Sequence, residues 1–226
     1  MKKPELLSGN ALKIIAMVTM TMDHMGLVLL PGVPVLRVLG RLAMPIYAFL
    51  VAEGCRHTRD GNRYLGRLLG LGIVCQAVYY FATGSLYLSI LITFSLSVGM
   101  ILTAEQTRRT GKPAPAALCW AGTAALCLLG PRLLTGTDFG VDYGFFGVLL
   151  PVCGYFWGLP GFTGGLALLC LHFGGIQWWA LGALPLLALY NGQRGRWKLG
   201  RFFYWYYPAH LVVIYGIGML LESLSF

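Results

Sequence analysis

LKIIAMVTMTMDHMGLVLL, residues Leu12 to Leu30, decides how this chain folds. It has the length of a bilayer-crossing helix, which takes about 20 apolar residues. Yet an acid and a histidine, Asp23 and His24, stand side by side in its outer half. An ionisable side chain inside a bilayer costs at least about 2–3 kcal/mol and by default marks a functional site. The next apolar stretch adds Arg37 and Arg41, one helical turn apart, and then Pro45. The chemistry of the protein is expected in this pair of segments.

Composition extends that reading to the whole chain. Of 226 residues, 57% are hydrophobic and only 11% charged, against about 25% charged in soluble domains. The mean hydropathy is +0.70. The expected fold is an all-α, polytopic membrane helix bundle, a single domain over 1–226. The 31 glycines suit helices that pack closely in lipid. A net charge of +9 does not point to nucleic acid, because the cations fall in short loops between apolar spans. Lys2 and Lys3 precede a long apolar segment, but it carries Asp-His and has no clean small-residue cleavage site, so no cleavable signal is expected. The six cysteines form no CxxC pair, and neither a disulfide framework nor a metal site is expected.

About nine spans are expected, near 12–30, 35–55, 65–83, 86–104, 115–131, 141–157, 160–174, 176–190 and 203–221. The sixth to eighth are short and interrupted by Gly and Pro, so one of them can be re-entrant. Charge sets the orientation. Lys2, Lys3 and Lys13, then Arg56, Arg59, Arg63 and Arg67, then Arg108, Arg109 and Lys112, then Arg194, Arg196, Lys198 and Arg201 all fall on one side. Only Arg37, Arg41 and Arg132 fall on the other. The N-terminus is therefore expected in the cytoplasm and the C-terminus outside, in the cell membrane.

Depth follows from helical rise. His24 lies about 16 Å along its helix from Lys13, and His210 about 14 Å from Arg201. In a core of about 30 Å both come out near the midplane. Adjacent helix positions point about 100° apart, so Asp23 and His24 do not face each other. One reading makes His24 a general base, since a neutral imidazole is suited to that task. The competing reading makes Asp23 a buried ion-pair partner of Arg37 or Arg41 and gives His24 a backbone hydrogen bond. Glu53, three and four residues before Arg56 and His57, fits a surface ion pair as well as a site. Asp138 and Asp142 read equally well as solvated loop acids, with Tyr143 an interface aromatic. In FFYWYYPAHLVVIY, 202–215, packing explains the aromatics but not His210, which shares a face with Tyr206.

Several stretches carry a family pattern: LKIIAM…DHMG at 12–26, RVLGRLAMPIYAFLVAEGCRHTRD at 37–60 and RYLGRLL at 63–69. ITFS at 92–95, DYGFFGVLL at 142–150, YNGQRG at 190–195 and FFYWYYPAHLVVIY at 202–215 complete it. Together they resemble the TraX family, the F-pilin acetylation proteins, nearly end to end. Ser89 departs from the pattern, which has an asparagine ahead of the threonine. The resemblance implies a membrane acyltransferase that takes acetyl from cytosolic acetyl-CoA and gives it to an acceptor across the membrane. It implies a catalytic His24, with Asp23, Arg37, Arg41, Glu53, His57, Asn191 and His210 lining the site.

The chemistry expected on that basis assigns three groups of residues. His24, Asp23 and Arg41 are the catalytic candidates, with Thr93 or Arg41 available to a developing oxyanion. Glu53, Arg56, His57, Arg59, Asn191, Arg194, Arg196, Tyr207 and His210 are candidates for the acyl-donor side, where arginine suits phosphate. Arg37, Asp138, Asp142 and Tyr143 are candidates for the acceptor, an amine such as a peptide or pilin N-terminus, or a hydroxyl, for instance of a saccharide. No metal is expected; acetyl-CoA, lipid and the acceptor are the expected partners. The alternative is a proton-coupled transporter or flippase with Asp23-His24 as its relay.

Overall fold

The computed structural model describes residues 6–196 and 200–224. Lys2, Lys3 and Lys198, three of the cations that orient the chain, lie outside the described residues. In chain order the helices are α1 Gly9–Val28, α2 Pro34–Gly40, α3 Ala43–His57, α4 Gly61–Thr83 and α5 Ile90–Thr110. Then come α6 Ala114–Leu128, α7 Gly130–Leu133, α8 Gly144–Phe173, a 3-10 segment Gly175–Gly182, α9 Ala183–Ala188 and α10 Gly200–Leu224. Among the described residues there is no strand, only isolated bridges.

The expected apolar stretches fold as helix, but the eighth, 176–190, is a 3-10 segment followed by the short α9, and the second and fourth are not the simple rods that hydropathy suggests. The sixth and seventh are the two arms of α8. The second is broken between α2 and α3. Pro45 has no N–H to donate to the carbonyl four residues back, at Arg41, and the chain tightens there, with Leu42 N–H bonding Leu39 at 3.2 Å. The fourth starts late, because 84–89 forms a laced loop ahead of α5. α8 folds back on itself at Gly158, whose φ of 63° and ψ of −152° suit only glycine. In a straight helix residues 150 and 165 would stand about 22 Å apart. Here a Cβ placed on Gly165 would lie 3.3 Å from the Leu150 side chain, and one on Gly154 would lie 3.0 Å from Phe162.

α1, α2 with α3, α4, α5 and α8 are long and apolar enough to cross a membrane. The distribution of side chains agrees. Phe81 is 85% exposed and Trp205 77%, whereas Thr93, Ser95 and Ser97 are buried. Large outward apolar surface would be a liability in water and is the expected surface in lipid.

The chain divides into two compact units. One holds residues through Leu50 and from Leu166 onward; the other holds Val51–Gly165. In the first, the segment before α1 is stitched to the loop before α10. Asn191 N–H bonds Leu7 O at 2.9 Å, Gly9 N–H bonds Gln193 O at 2.8 Å and Asn10 N–H bonds Arg194 O at 2.9 Å. α10 then runs alongside α1 in the same direction, Lys13 lying over the Phe203 ring and Val28 packing at Gly218. In the second unit, α5 packs on the start of α8 through buried hydroxyls, Ser97 Oγ donating to Val148 O at 2.7 Å. One end of this unit carries the basic residues, with Arg108 over the Phe156 ring. The opposite end laces 84–89 to 138–142, Leu88 N–H bonding Gly140 O at 2.7 Å.

Candidate functional site

The site grows from α1 in the first unit. His24 and Asp23 diverge as neighbours on a helix must. The Asp23 carboxylate turns to the following helix, where Arg37 Nη1 donates to one oxygen at 2.7 Å and Arg41 Nη2 donates to the other. Arg37 also reaches the Asp23 carbonyl, at 3.3 Å. All three side chains are mostly buried. Two glycines make this approach possible. A Cβ on Gly40 would sit 2.7 Å from the Asp23 Cα, and one on Gly26 would sit 2.9 Å from the Leu36 Cβ. The cluster of one carboxylate and two guanidiniums keeps one net positive charge beside His24.

His24 turns instead toward α10. Its Nδ1 lies 2.9 Å from the Met20 carbonyl. A carbonyl only accepts, so Nδ1 carries the hydrogen and the lone pair is at Nε2. His210 repeats the arrangement, with Nδ1 3.1 Å from the Tyr206 carbonyl. The two rings meet edge to face, centroids 5.1 Å apart. His210 is 6% exposed, and its buried Nε2 has no hydrogen-bond partner among the described residues. Tyr206 stacks on the His210 ring at 5.4 Å, and Tyr207 meets it edge-on at 5.3 Å. The Thr21 hydroxyl donates to Met17 O at 2.9 Å, so the 2.6 Å contact with Tyr206 is a bond in which the tyrosine donates. Each ring, when neutral, therefore presents its lone pair at Nε2, and aromatic rings pack around His210.

The structure therefore brings together Asp23, His24, Arg37, Arg41, Tyr207 and His210. Asn191, Arg194 and Arg196 belong to the same unit. Asn191 shapes its loop, accepting from Gln193 N–H at 2.9 Å, and its neighbour Arg194 lies against Asn10. From Asn10 to His24 is about 21 Å along α1. Thr21, Tyr206, Gly26 and Gly40 belong to this site as well and were not among the sequence candidates. Thr21 precedes His24 by three residues, so helical spacing could have found it; the shared face of Tyr206 and His210 was read from the sequence, but not the stacking of the two rings.

The remaining candidates lie in the second unit. Arg56 Nη1 donates to Glu53 at 2.6 Å, and its Nη2 donates to the carbonyls of Gly154 and Tyr155 at 2.5 and 2.7 Å. It thus caps the first arm of the α8 fold-back, and its guanidinium is already occupied. His57 Nδ1 bonds the Glu53 carbonyl at 2.9 Å on an exposed surface. Arg59 lines an open groove. Thr93, fully buried, donates its one hydroxyl proton to Asp142 O at 2.9 Å, so it has none left for an oxyanion. Asp138 clasps the opposite loop, accepting from Ser85 Oγ and, at 2.9 Å, from Leu86 N–H. The Ser85 hydroxyl, then Leu86 N–H, hold its carboxyl below the ordinary value. Tyr143 has φ of 57°, a strained value for an aromatic residue. The hydroxyl of Ser89 is buried without a partner among the described residues.

Fold and site together define a polytopic helical membrane protein with a buried histidine pair next to an Asp-Arg-Arg cluster. The chain belongs to the TraX protein family, whose model it matches over residues 8–218. It is 32% identical over 134 residues to the protein TraX of Escherichia coli, covering 58% of this chain and 50% of that one. It is 40% identical over 76 residues to the probable fimbrial assembly protein FimC, serogroup H1, of Dichelobacter nodosus, covering 32% of this chain and 31% of that one. The chain spans half or less of the length of these curated relatives. No solved structure matches it.

Proposed function

We propose that this chain is an acetyl-CoA-dependent membrane acetyltransferase of the cell membrane, with His24 as its general base. The observation that carries the proposal is the tautomer of His24. With Nδ1–H tied to Met20 O, the Nε2 lone pair is left facing a buried site beside His210. Nε2 takes the proton of an acceptor amine or hydroxyl as that atom attacks the thioester carbonyl carbon. The C–S bond then breaks, and the imidazolium returns the proton to the leaving thiolate. The products are the acetylated acceptor and coenzyme A. The net positive charge of the Asp23-Arg37-Arg41 cluster is available to the tetrahedral oxyanion, whose charge is costly at low dielectric. Arg194 and Arg196 are the donor-side candidates for the coenzyme A phosphates. The names of the relatives support an acceptor associated with fimbriae, such as a pilin N-terminus. Relay through an Asp23-His24 pair is less favoured, because both Asp23 oxygens hold guanidiniums.

The test is titration of acetyl-CoA into the purified chain in nanodiscs, followed by transfer assays. Wild type binds acetyl-CoA, Arg194→Gln with Arg196→Gln weakens binding, and His24→Ala binds normally but does not transfer. Absence of binding, or transfer by His24→Ala, contradicts the proposal.

A further inference from the structure

A second charged feature lies away from the histidines, at the foot of α4. Thr58, Arg59, Asp60, Arg63, Gly66 and Arg67 line an open groove of about 570 Å³. Asp60 is occupied locally. It caps α4 by accepting from Arg63 N–H at 2.9 Å, and it pairs with Arg63 Nε at 3.0 Å. Arg67 Nε bonds the Arg63 carbonyl at 3.2 Å, which holds its guanidinium along the groove. Three guanidiniums against one carboxylate leave a surplus of two positive charges in the groove.

What stands above the groove identifies its ligand. From the arginines upward, α4 presents one uninterrupted exposed face. It runs through Arg63, Gly66, Arg67, Gly70, Ile73, Val74, Ala77, Tyr80 and Phe81 at the three- and four-residue steps of a helix surface. Ile73 and Val74 are 58% and 52% exposed, and a Cβ on Gly66 or Gly70 would meet nothing within 4 Å. Above the arginines the face is therefore apolar, open at Gly66 and Gly70, with the cationic groove at its foot. A soluble phosphate would use the foot and leave the apolar face bare. A phospholipid uses both, the phosphate on the arginines and an acyl chain along Gly66, Gly70 and Ile73.

We infer that the groove at 58–67 is a binding site for an anionic phospholipid of the cytoplasmic leaflet. The inference is independent of the acetyl-transfer reading. Basic residues at a membrane surface attract anionic headgroups, and arginine engages phosphate with two parallel hydrogen bonds.

Native mass spectrometry of the full chain in detergent tests it, with phosphatidylglycerol and phosphatidylcholine as probes. Wild type retains phosphatidylglycerol in preference to phosphatidylcholine. Arg63→Gln with Arg67→Gln weakens phosphatidylglycerol binding about 30-fold and leaves phosphatidylcholine unchanged. Arg63→Lys with Arg67→Lys keeps most of the binding, and the exposed single variant Arg67→Gln gives an intermediate loss even if the double variant folds poorly. Equal retention of the two lipids overturns the inference. So does an equal loss in Arg109→Gln with Lys112→Gln, which would mean diffuse surface charge. Coenzyme A or 3′,5′-ADP displacing phosphatidylglycerol also overturns it, since the foot would then be a site for a soluble nucleotide.

Discussion

At the scale of single residues, the two histidines have the same local chemistry, and the proposal gives them different duties. Each gives its Nδ1–H to the carbonyl four residues back, a bond that any histidine on an unbroken helix can make. That bond leaves the lone pair at Nε2, the atom proposed to act as the base. His24→Ala is expected to lower kcat by about 10²–10⁴-fold, the usual contribution of a positioned base, while protein level and melting temperature stay near wild type. The partner ring is fixed by Tyr206, so Tyr206→Phe removes one neutral hydrogen bond worth about 1 kcal/mol and should slow transfer by less than tenfold. Equal losses in the two variants, measured as initial rates, would place the function of the site in its packing and not in proton transfer. Asp138 gives a prediction in pH. Its folded carboxyl titrates below the ordinary value, so the clasp to 85–86 holds above about pH 4 and is lost as pH falls through the lowered value. Hydrogen exchange at 85–88 should be slow at neutral pH, faster in acid, and fast at both in Asp138→Asn. Much of the residue scale was legible: an acid, a histidine and two arginines inside apolar segments had to pair. The direction of the pairing was open, and the structure resolves it by giving Asp23 to the arginines and His24 to α10.

At the scale of elements, close approach decides the site. Asp23 meets Arg37 and Arg41 only because Gly40 and Gly26 let α2 lie against α1. Gly40→Ala drives a Cβ into the Asp23 backbone and should destabilise the protein by about 1–3 kcal/mol, seen as a lower melting temperature in detergent. Asp23→Asn leaves two guanidiniums at low dielectric with one neutral partner. It should cost more, about 3–5 kcal/mol, and be partly rescued by Arg41→Gln. An unchanged melting temperature in Asp23→Asn would mean that the cluster does not hold α1 to α2. Hydropathy located these elements and the turn between the spans 141–157 and 160–174, where α8 folds back at Gly158, but not the break between α2 and α3. Pro45 was visible as punctuation, but a proline inside an apolar run is compatible with a kinked helix. Arg56 meets a demand the sequence did not display: a broken helix end nearby presents carbonyls that need a donor.

At the scale of the whole chain, each unit by itself carries the charge asymmetry. In one, the segment 190–194, which ends in Arg194, is stitched to the start of α1, and α10 leaves in parallel with α1. In the other, the end bearing Arg56 and Arg108 is opposite the end where 84–89 meets 138–142. Single-cysteine variants at 108 and 138, at opposite ends of the second unit, in a cysteine-depleted background should therefore label from opposite sides of sealed membranes. Labelling from the same side would overturn the orientation. The membrane class and the order of the helices were legible, because lipid leaves helices few alternatives. The division into units was not, since it depends on which helices share buried hydroxyls and glycines. The central claim is that His24 moves acetyl from a cytoplasmic donor. Inside-out vesicles from the native host, given radiolabelled acetyl-CoA at the exposed cytoplasmic face, test it whatever the acceptor is. Vesicles with wild-type protein should incorporate label into membrane or lumenal material, and those with His24→Ala should incorporate at least about 100-fold less. Incorporation by His24→Ala above about a tenth of wild type, or equal labelling when acetyl-CoA reaches only the opposite face of right-side-out vesicles, would contradict it.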